Sequence, residues 1–474
     1  MRTHSWGVAL AGCLVCAVRL AGQSGAPAVA EMPPESRPLD PSICRIEVVD
    51  ESNGWPVPLV ELRTTHNLRF VSDNAGVIAM DAPELLGFET WFTVIGHGYE
   101  VPPDGFGFRG IRLVPRGGEG LTVKLQRRLP AKRLGRLTGG GLFAESQKLG
   151  EHSDWQESRI LGCDSVQSTL HRGQRFWAWG DTVLSRYPLG RFHMIGATTV
   201  GAPWGKPEPP IRPLYDYFRD VEGIPRNIAE LSGPGPTWIS GLVSLPDSRG
   251  QQRLVGTYVK IKPPLTVYEA GLCVWNDAEQ SFQRQRVLWQ ATDGPSSPPR
   301  MPDGHGVVHP DESGRAMVWF GDPFPQLRLP ATFEAWSDPT TWERLEPQSV
   351  VMSAQGRAVK PHRGSIARNA YRGRWIGIFT ELAGEGSQLG EIWYAEADQP
   401  TGPWGPAVKV VSHEDYSFYN PWMHPHGSAA DSSMLLFEGT YTHAFSGNRE
   451  PTPRHDYNQV LYRLDLDELT AAPK

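Results

Sequence analysis

Apolar and polar positions along the chain fall into short segments of strand period, broken by Gly, Pro, Asn and Asp. Between residues 43 and 128, "CRIEVVD", "PVPLVELRT", "LRFVSD", "TWFTVIG" and "LTVKLQRR" are separated by Asn-Gly, Asn-Ala-Gly and Pro-rich turns, the pattern of an all-β sandwich. From about residue 160 the chain repeats with a period of roughly 60 residues. Five segments each place a turn before a strand: "HRGQRFWAWGDTV", "DSRGQQRLVGTYV", "DESGRAMVWFGDPF", "AYRGRWIGIFTEL" and "ADSSMLLFEGTYT". After a variable loop each is followed by another strand, and several continue into a further one. Four strands in each of five repeats predict an all-β chain whose sandwich is followed by a five-bladed β-propeller over 161–468, a closed form with no long free edge. The last repeat runs out after "VLYRLDLDEL". Its outermost strand is therefore expected from 129–160, near "GRLTGGGLF", closing the ring.

The register of the first repeat carries chemistry. Arg172-Gly173 suits a two-residue hairpin turn, because glycine accepts the positive φ that such turns require. Counting outward sets residue 171 against 174 and Asp164 against Asp181. The same count on the other repeats gives Gly241 and Tyr258, His305 and Asp322, Gly364 and Glu381, and His424 and Tyr441. In a propeller these positions gather at one mouth of the central channel. Directly opposed residues project to one face with Cβ atoms ~4.5–5.5 Å apart. Two carboxylates so placed raise one another's pKa, which keeps one protonated while its neighbour stays ionised. Glycoside hydrolysis needs that arrangement, with carboxyl groups ~5–5.5 Å apart for retention and ~6.5–9.5 Å for inversion. Asp164 and Asp181 fit retention, in either order of roles; Glu381 or Asp322 across the channel would bring inversion. The catalytic candidates are thus Asp164, Asp181 and Glu381. Tyr258, His305, Asp322, His424 and Tyr441 are the binding candidates, together with Trp238 and Trp422, whose rings could stack on sugars or pack between blades.

Two resemblances accompany this reading. "VVDESNGWPVPLVELRT…FVSDNAGVIAM…IGHGYE" resembles the carboxypeptidase regulatory-like, transthyretin-type domain, a structural module. The five repeats, with an aspartate opening the innermost strand, resemble the furanosidase-type glycoside hydrolases, including the arabinanases and family 43; "GCDS…FWAWGDT" is more similar to the retaining D-arabinan-cleaving propellers. The resemblance implies hydrolysis of a polysaccharide or oligosaccharide. It requires no cofactor, though His305 and His424 are similar to channel histidines that act as an acid or help hold an axial cation such as calcium. One departure weighs against the three-carboxylate inverting mechanism of family 43: Gly241, His305 and Gly364 stand where that family has its inner-strand acids.

Composition narrows the partners. Net charge is −6 with no long basic run, which argues against nucleic acid or an anionic membrane surface, since both need clustered Lys and Arg. Residues 1–28 have an early cation, a short apolar stretch and small residues, the layout of a secretory signal peptide; "LAGC" at Cys13 also matches a lipoprotein signal. Residues 29–42 read as a Pro-rich linker. With no later segment of ~20 apolar residues, a secreted or periplasmic protein is expected. The remaining cysteines, Cys44, Cys163 and Cys273, form no disulfide framework. Two rivals stay open: a glycan- or protein-binding propeller with a cation at the mouth, and a polysaccharide lyase using Tyr258 or Tyr441 with a histidine.

Overall fold

In the strand Cys44–Asp50 every second side chain is buried, as a sheet with one face on a core requires. The computed structural model describes residues 40–186, 194–292, 297–425 and 432–469; the expected signal peptide and most of the expected linker lie outside them. Cys44–Asp50 pairs antiparallel with Val77–Met80 and parallel with Gly120–Arg127, which also pairs with Tyr99–Glu100. A second sheet runs Arg69–Val71, Glu61–Thr64, Thr90–Ile95, Gly110–Leu113. Ile46, Val48 and Val123 from one sheet and Leu62 and Phe92 from the other share a single core, so the two sheets form a sandwich.

Five four-stranded antiparallel sheets follow. Blade one is Val166–His171, Gln174–Trp179, Ile195–Thr199 and Asp216–Tyr217; blade two is Thr237–Pro246, Gln252–Lys262, Thr266–Asn276 and Ser281–Gln290. Blade three is His305–Pro310, Ala316–Gly321, Pro325–Pro330 and Glu343–Arg344; blade four is Pro361–Asn369, Arg374–Glu381, Ile392–Ala397 and Val408–Val411. Blade five is Ser417–Met423, Met434–Thr442, Asn458–Asp465 and Lys132–Arg136. The first strand of each sheet lies against that of the next, and the fifth against the first, so the blades circle an axis. The protein is all-β, and the closing strand comes from ahead of blade one, a few residues earlier than "GRLTGGGLF".

Register follows turn length. In blade one Arg172 and Gly173 take φ of 49° and 80°, the two positive values of a two-residue turn. His171 faces Gln174 as expected. Blades two and three differ: Asp247 and Asp311 bond the residues four positions on, Gln251 and Arg315, through their backbone N–H groups, and their carboxylates accept from residues two and four ahead. These Asp-x-x-Gly-x turns loop out three residues, and each slips the register by one. His305 therefore faces Gly321, not Asp322. In blade two a bulge between Ser240 and Val243 shifts the pairing again, so Tyr258 faces Ile239, not Gly241. Blade four turns through the residues between Asn369 and Arg374 and bulges after His362, which sets Glu381 against Pro361. In blade five Tyr441 faces Phe418, while the N–H of His424 bonds the carbonyl of Leu436.

Sandwich and propeller belong to one compact unit, Leu39–Lys474, and the closing strand joins them. Arg133 on that strand is 1% exposed. Its guanidinium donates to the carbonyls of Pro58 (2.9 Å), Leu59 (3.2 Å), Gly96 (2.5 Å) and His97 (2.6 Å) in the sandwich and to the hydroxyl of Tyr462 (3.0 Å) in blade five. The Tyr99 and Tyr462 rings flank it at 5.2 and 5.9 Å. Nearby, His97 packs on His413, Tyr416 and Tyr441. Replacing Arg133 by Met would strand four buried carbonyls; the expected loss is at least about 3 kcal/mol, read as a lower denaturant midpoint.

Candidate active site

Blade one brings two acids together at its upper end. The strand pairs Cys163–Thr182 and Val166–Trp179 bracket the site. Between them the N–H of Asp164 donates to the carbonyl of Asp181 at 3.1 Å, so the two aspartates are opposed as the sequence predicts. Both are half-buried. Burial, with the charge of Asp164 beside it, pushes the Asp181 carboxyl up to about 6; a hydrogen bond from Trp238 Nε1 to Oδ1 at 2.8 Å opposes that shift.

Asp164 lies in a different setting. Its Oδ1 accepts from the N–H and hydroxyl of Ser165, both at 2.5 Å, and lies 3.5 Å from Thr440 Oγ1. Tyr419 and Tyr457 lie beside this carboxylate: burial first, and then the Asp164 charge, raise the pKa of both hydroxyls. Asn420, from the first strand of blade five, donates to Ser165 Oγ. Tyr457 arrives on the long insert after Thr442, whose end is pinned where its carbonyl accepts from the N–H of Cys163 at 2.9 Å.

A third group faces the pair from blades three and four. Asp322 accepts from Arg363 Nη1 at 2.5 Å and from the N–H of Gly364 at 2.6 Å. Gly364 has φ of 155°, and a Cβ there would lie 2.3 Å from the carbonyl of Ile378, so no side chain fits. The charges of Asp322, Asp303 and Asp164 all raise the pKa of Arg363, which places one guanidinium among three acids. His305 stands beside Asp303 and Arg363; burial outweighs the Asp303 charge and pushes its imidazole down to about 3, so it is neutral. Three acids from two blades thus meet one cation.

Other expected members lie elsewhere. Tyr258 is buried inside blade two, bonded to Glu269 at 2.8 Å and Arg284 at 3.0 Å. Glu381 is 3% exposed, gripped by Arg357 at 2.5 and 2.7 Å and by Trp393 Nε1 at 2.9 Å, and does not face the acid pair. Tyr441 is buried against the sandwich, 2.8 Å from both His97 Nε2 and Thr452 Oγ1. These tyrosines are engaged away from the mouth, which leaves the lyase reading without its base. His424 turns into the seam between blades five and one, its Nε2 3.0 Å from Glu438 Oε1, under Trp177, Trp204 and Trp422. Burial lowers the pKa of His424 and raises that of Glu438, so burial favours the uncharged form of both. Trp422 packs there too and is 6% exposed. Residue counting passed over Asp303, Arg363 and Tyr457; the signal available was the cluster "PDGH" immediately before an inner strand and "HRGS" at the same place one blade later. Among the described residues no three His, Cys, Asp or Glu side chains are grouped to hold a metal ion.

No family model matches the chain, and no curated protein matches it either. Solved structures do align with it. An exo-β-1,3-galactanase from Phanerochaete chrysosporium, solved with galactose, covers 64% of this chain, which spans 60% of that protein, at 9% identity and a TM-score of 0.36. An arabinanase from Bacillus subtilis covers 64% of this chain and is itself 93% covered, at 10% identity and 0.34. For a GH43 enzyme from Xanthomonas citri complexed with xylotriose the shares are 64% and 86%, at 9% identity and 0.36. With agreement at this level, the function proposed for the site rests on its own residues.

The Asp181 environment makes two opposite shifts testable by carboxyl-carbon NMR titration. Asp164→Asn removes a neighbouring charge and should lower the Asp181 pKa; Trp238→Phe removes a donor to the carboxylate and should raise it. Because the folded-state value of about 6 lies above the ~3.9 of an unfolded aspartate, the folded protein binds the extra proton between these values. Its stability should fall as pH rises through that window, and Asp181→Asn should flatten the fall.

Proposed function

We propose that the protein is a secreted glycoside hydrolase acting on a polysaccharide or oligosaccharide, with Asp164 and Asp181 as its catalytic pair. The observation that carries this is the unlike environment of two opposed aspartates: Asp181, bonded by Trp238, keeps its proton to about pH 6, while Asp164 accepts from the N–H and hydroxyl of Ser165 and lies beside Tyr419 and Tyr457. Direct cross-strand neighbours have Cβ atoms ~4.5–5.5 Å apart, a spacing that favours retention.

In this reading Asp164 attacks the anomeric carbon as Asp181 gives its proton to the departing glycosidic oxygen, leaving a glycosyl ester on Asp164. Asp181, now ionised, takes a proton from water as that water's oxygen attacks the anomeric carbon, and the ester bond breaks to restore the Asp164 carboxylate. Trp238 orients Asp181 through its 2.8 Å bond. Arg363, held by Asp322 and with 47% of its side chain exposed, offers N–H groups to sugar hydroxyls, and Asp303 and Asp322 offer acceptors.

Asp164→Asn and Asp181→Asn should each lower turnover on a cleaved polysaccharide by ~10²–10⁴-fold with unchanged circular dichroism. Proton NMR of the first product should show the anomeric configuration of the substrate. Inverted product would move the base role to a more distant acid, and full activity in both variants, or binding without products across a broad polysaccharide panel, would remove the hydrolase assignment.

A further inference from the structure

The first strands of the five blades enclose a channel cavity of about 410 Å³, which takes in His305 at the mouth end and His309 and Arg368 further along the same strands. Its charged lining is cationic. Arg175 of blade one and Arg368 of blade four both line it, with Ser168, Ser244 and His309 between, and no described lining residue is Asp or Glu. Neither arginine forms an ion pair among the described residues: Arg175 reaches only Ser168 Oγ, at 3.4 Å, and Arg368 the carbonyl of Asn369, at 3.1 Å. Arg175 is half-buried and Arg368 exposed; three other half-buried arginines, Arg69, Arg127 and Arg284, each meet a carboxylate within 3.1 Å.

A guanidinium withdrawn from water without a counter-charge is costly. Burial lowers the pKa of Arg175 with nothing opposing it, and burial, with the Arg368 charge added, lowers that of His309. Among the described lining residues a calcium ion would find none of the carboxylate oxygens it prefers and two like charges instead, a lining that favours an anion.

We propose that this channel binds a small oxyanion, with Arg175 and Arg368 as its bidentate donors and Ser168 and Ser244 completing the hydrogen bonds. The fork of a guanidinium matches carboxylate, sulfate and phosphate alike, so the ligand is either a free inorganic oxyanion or the carboxylate of an acidic sugar. The site is separate from the acid pair and does not depend on the hydrolase reading.

Isothermal titration of the full chain with sulfate, phosphate, glucuronate and glucose tests it. At least one of the three anions should bind one per chain, and glucose should not. Tighter binding of glucuronate than of sulfate and phosphate identifies the sugar acid, and the reverse order the inorganic ion. Arg368→Gln, at an exposed position, and Arg175→Gln should each weaken the binding at least tenfold, and the Asp164→Asn variant should bind as the native protein does. Selenate soaked into crystals gives a readout independent of folding in the variants: its anomalous peak should lie between the two arginines. Absence of binding by all three anions, binding unaffected by Arg368→Gln, or calcium binding in the channel in their place would overturn the proposal.

Discussion

The closed ring depends on one buried cation. A propeller needs its last blade completed by the beginning of its own sequence, and here the completing strand is Lys132–Arg136, rich in charges that a core would normally refuse. Arg133 resolves the conflict by spending every donor direction on carbonyls of the sandwich and the hydroxyl of Tyr462. Arg136 turns its two terminal nitrogens to the carbonyls of Gly140, Gly141 and Arg454, and Lys132 meets Asp465 and Glu468. Hydrogen bonds of this kind are directional, so they fix the strand's register against Asn458–Asp465 in a way that apolar contacts alone would not.

A rigid ring in turn lets unlike charges be placed at fixed separation. The mouth gathers Asp164, Asp303 and Asp322 around Arg363, with Asp181 opposite Asp164, and each acid has its own partner: hydroxyls for Asp164, an indole for Asp181, a backbone amide for Asp303, a guanidinium and a backbone amide for Asp322. Environments that differ this much drive the protonation states of neighbouring carboxyls apart. The seam beneath contrasts with it. His424 sits under three tryptophans beside Glu438, and burial drives both toward their uncharged forms.

How far the sequence revealed this depended on turn chemistry. Strand content, the sandwich segments and the repeats were visible because both faces of each blade are buried and the apolar runs are strong. The pairing of Asp164 with Asp181 was visible because Arg172-Gly173 admits a single two-residue turn. The same arithmetic misplaced Tyr258, His305, Glu381, His424 and Tyr441, since one residue more in a turn sends every following side chain to the other face. An aspartate three residues ahead of a glycine marks the longer turn, in "DSRG" and "DESG" and also in the sandwich at "DNAG", where Asp73 caps Ala75. Bulges at Ser240 and His362 left no comparable mark. The roles of Arg363 and Tyr457 depend on loops whose course is set by tertiary contacts, which no local pattern records.

The insert that delivers Tyr457 does not stand by itself. Arg69 of the sandwich donates to the carbonyl of Pro451 at 3.2 Å, Arg63 and Arg69 reach Glu450, and the small helix Ala144–Lys148 holds Arg454 through Glu145 at 2.7 Å. The front module therefore serves as a buttress for a loop touching the nucleophile candidate. Exchanging it for an unrelated spacer, or grafting the bare ring into another protein, would slacken one wall of the mouth and also take from Arg133 the sandwich carbonyls that seat the closing strand of blade five, so the two parts are best transplanted together.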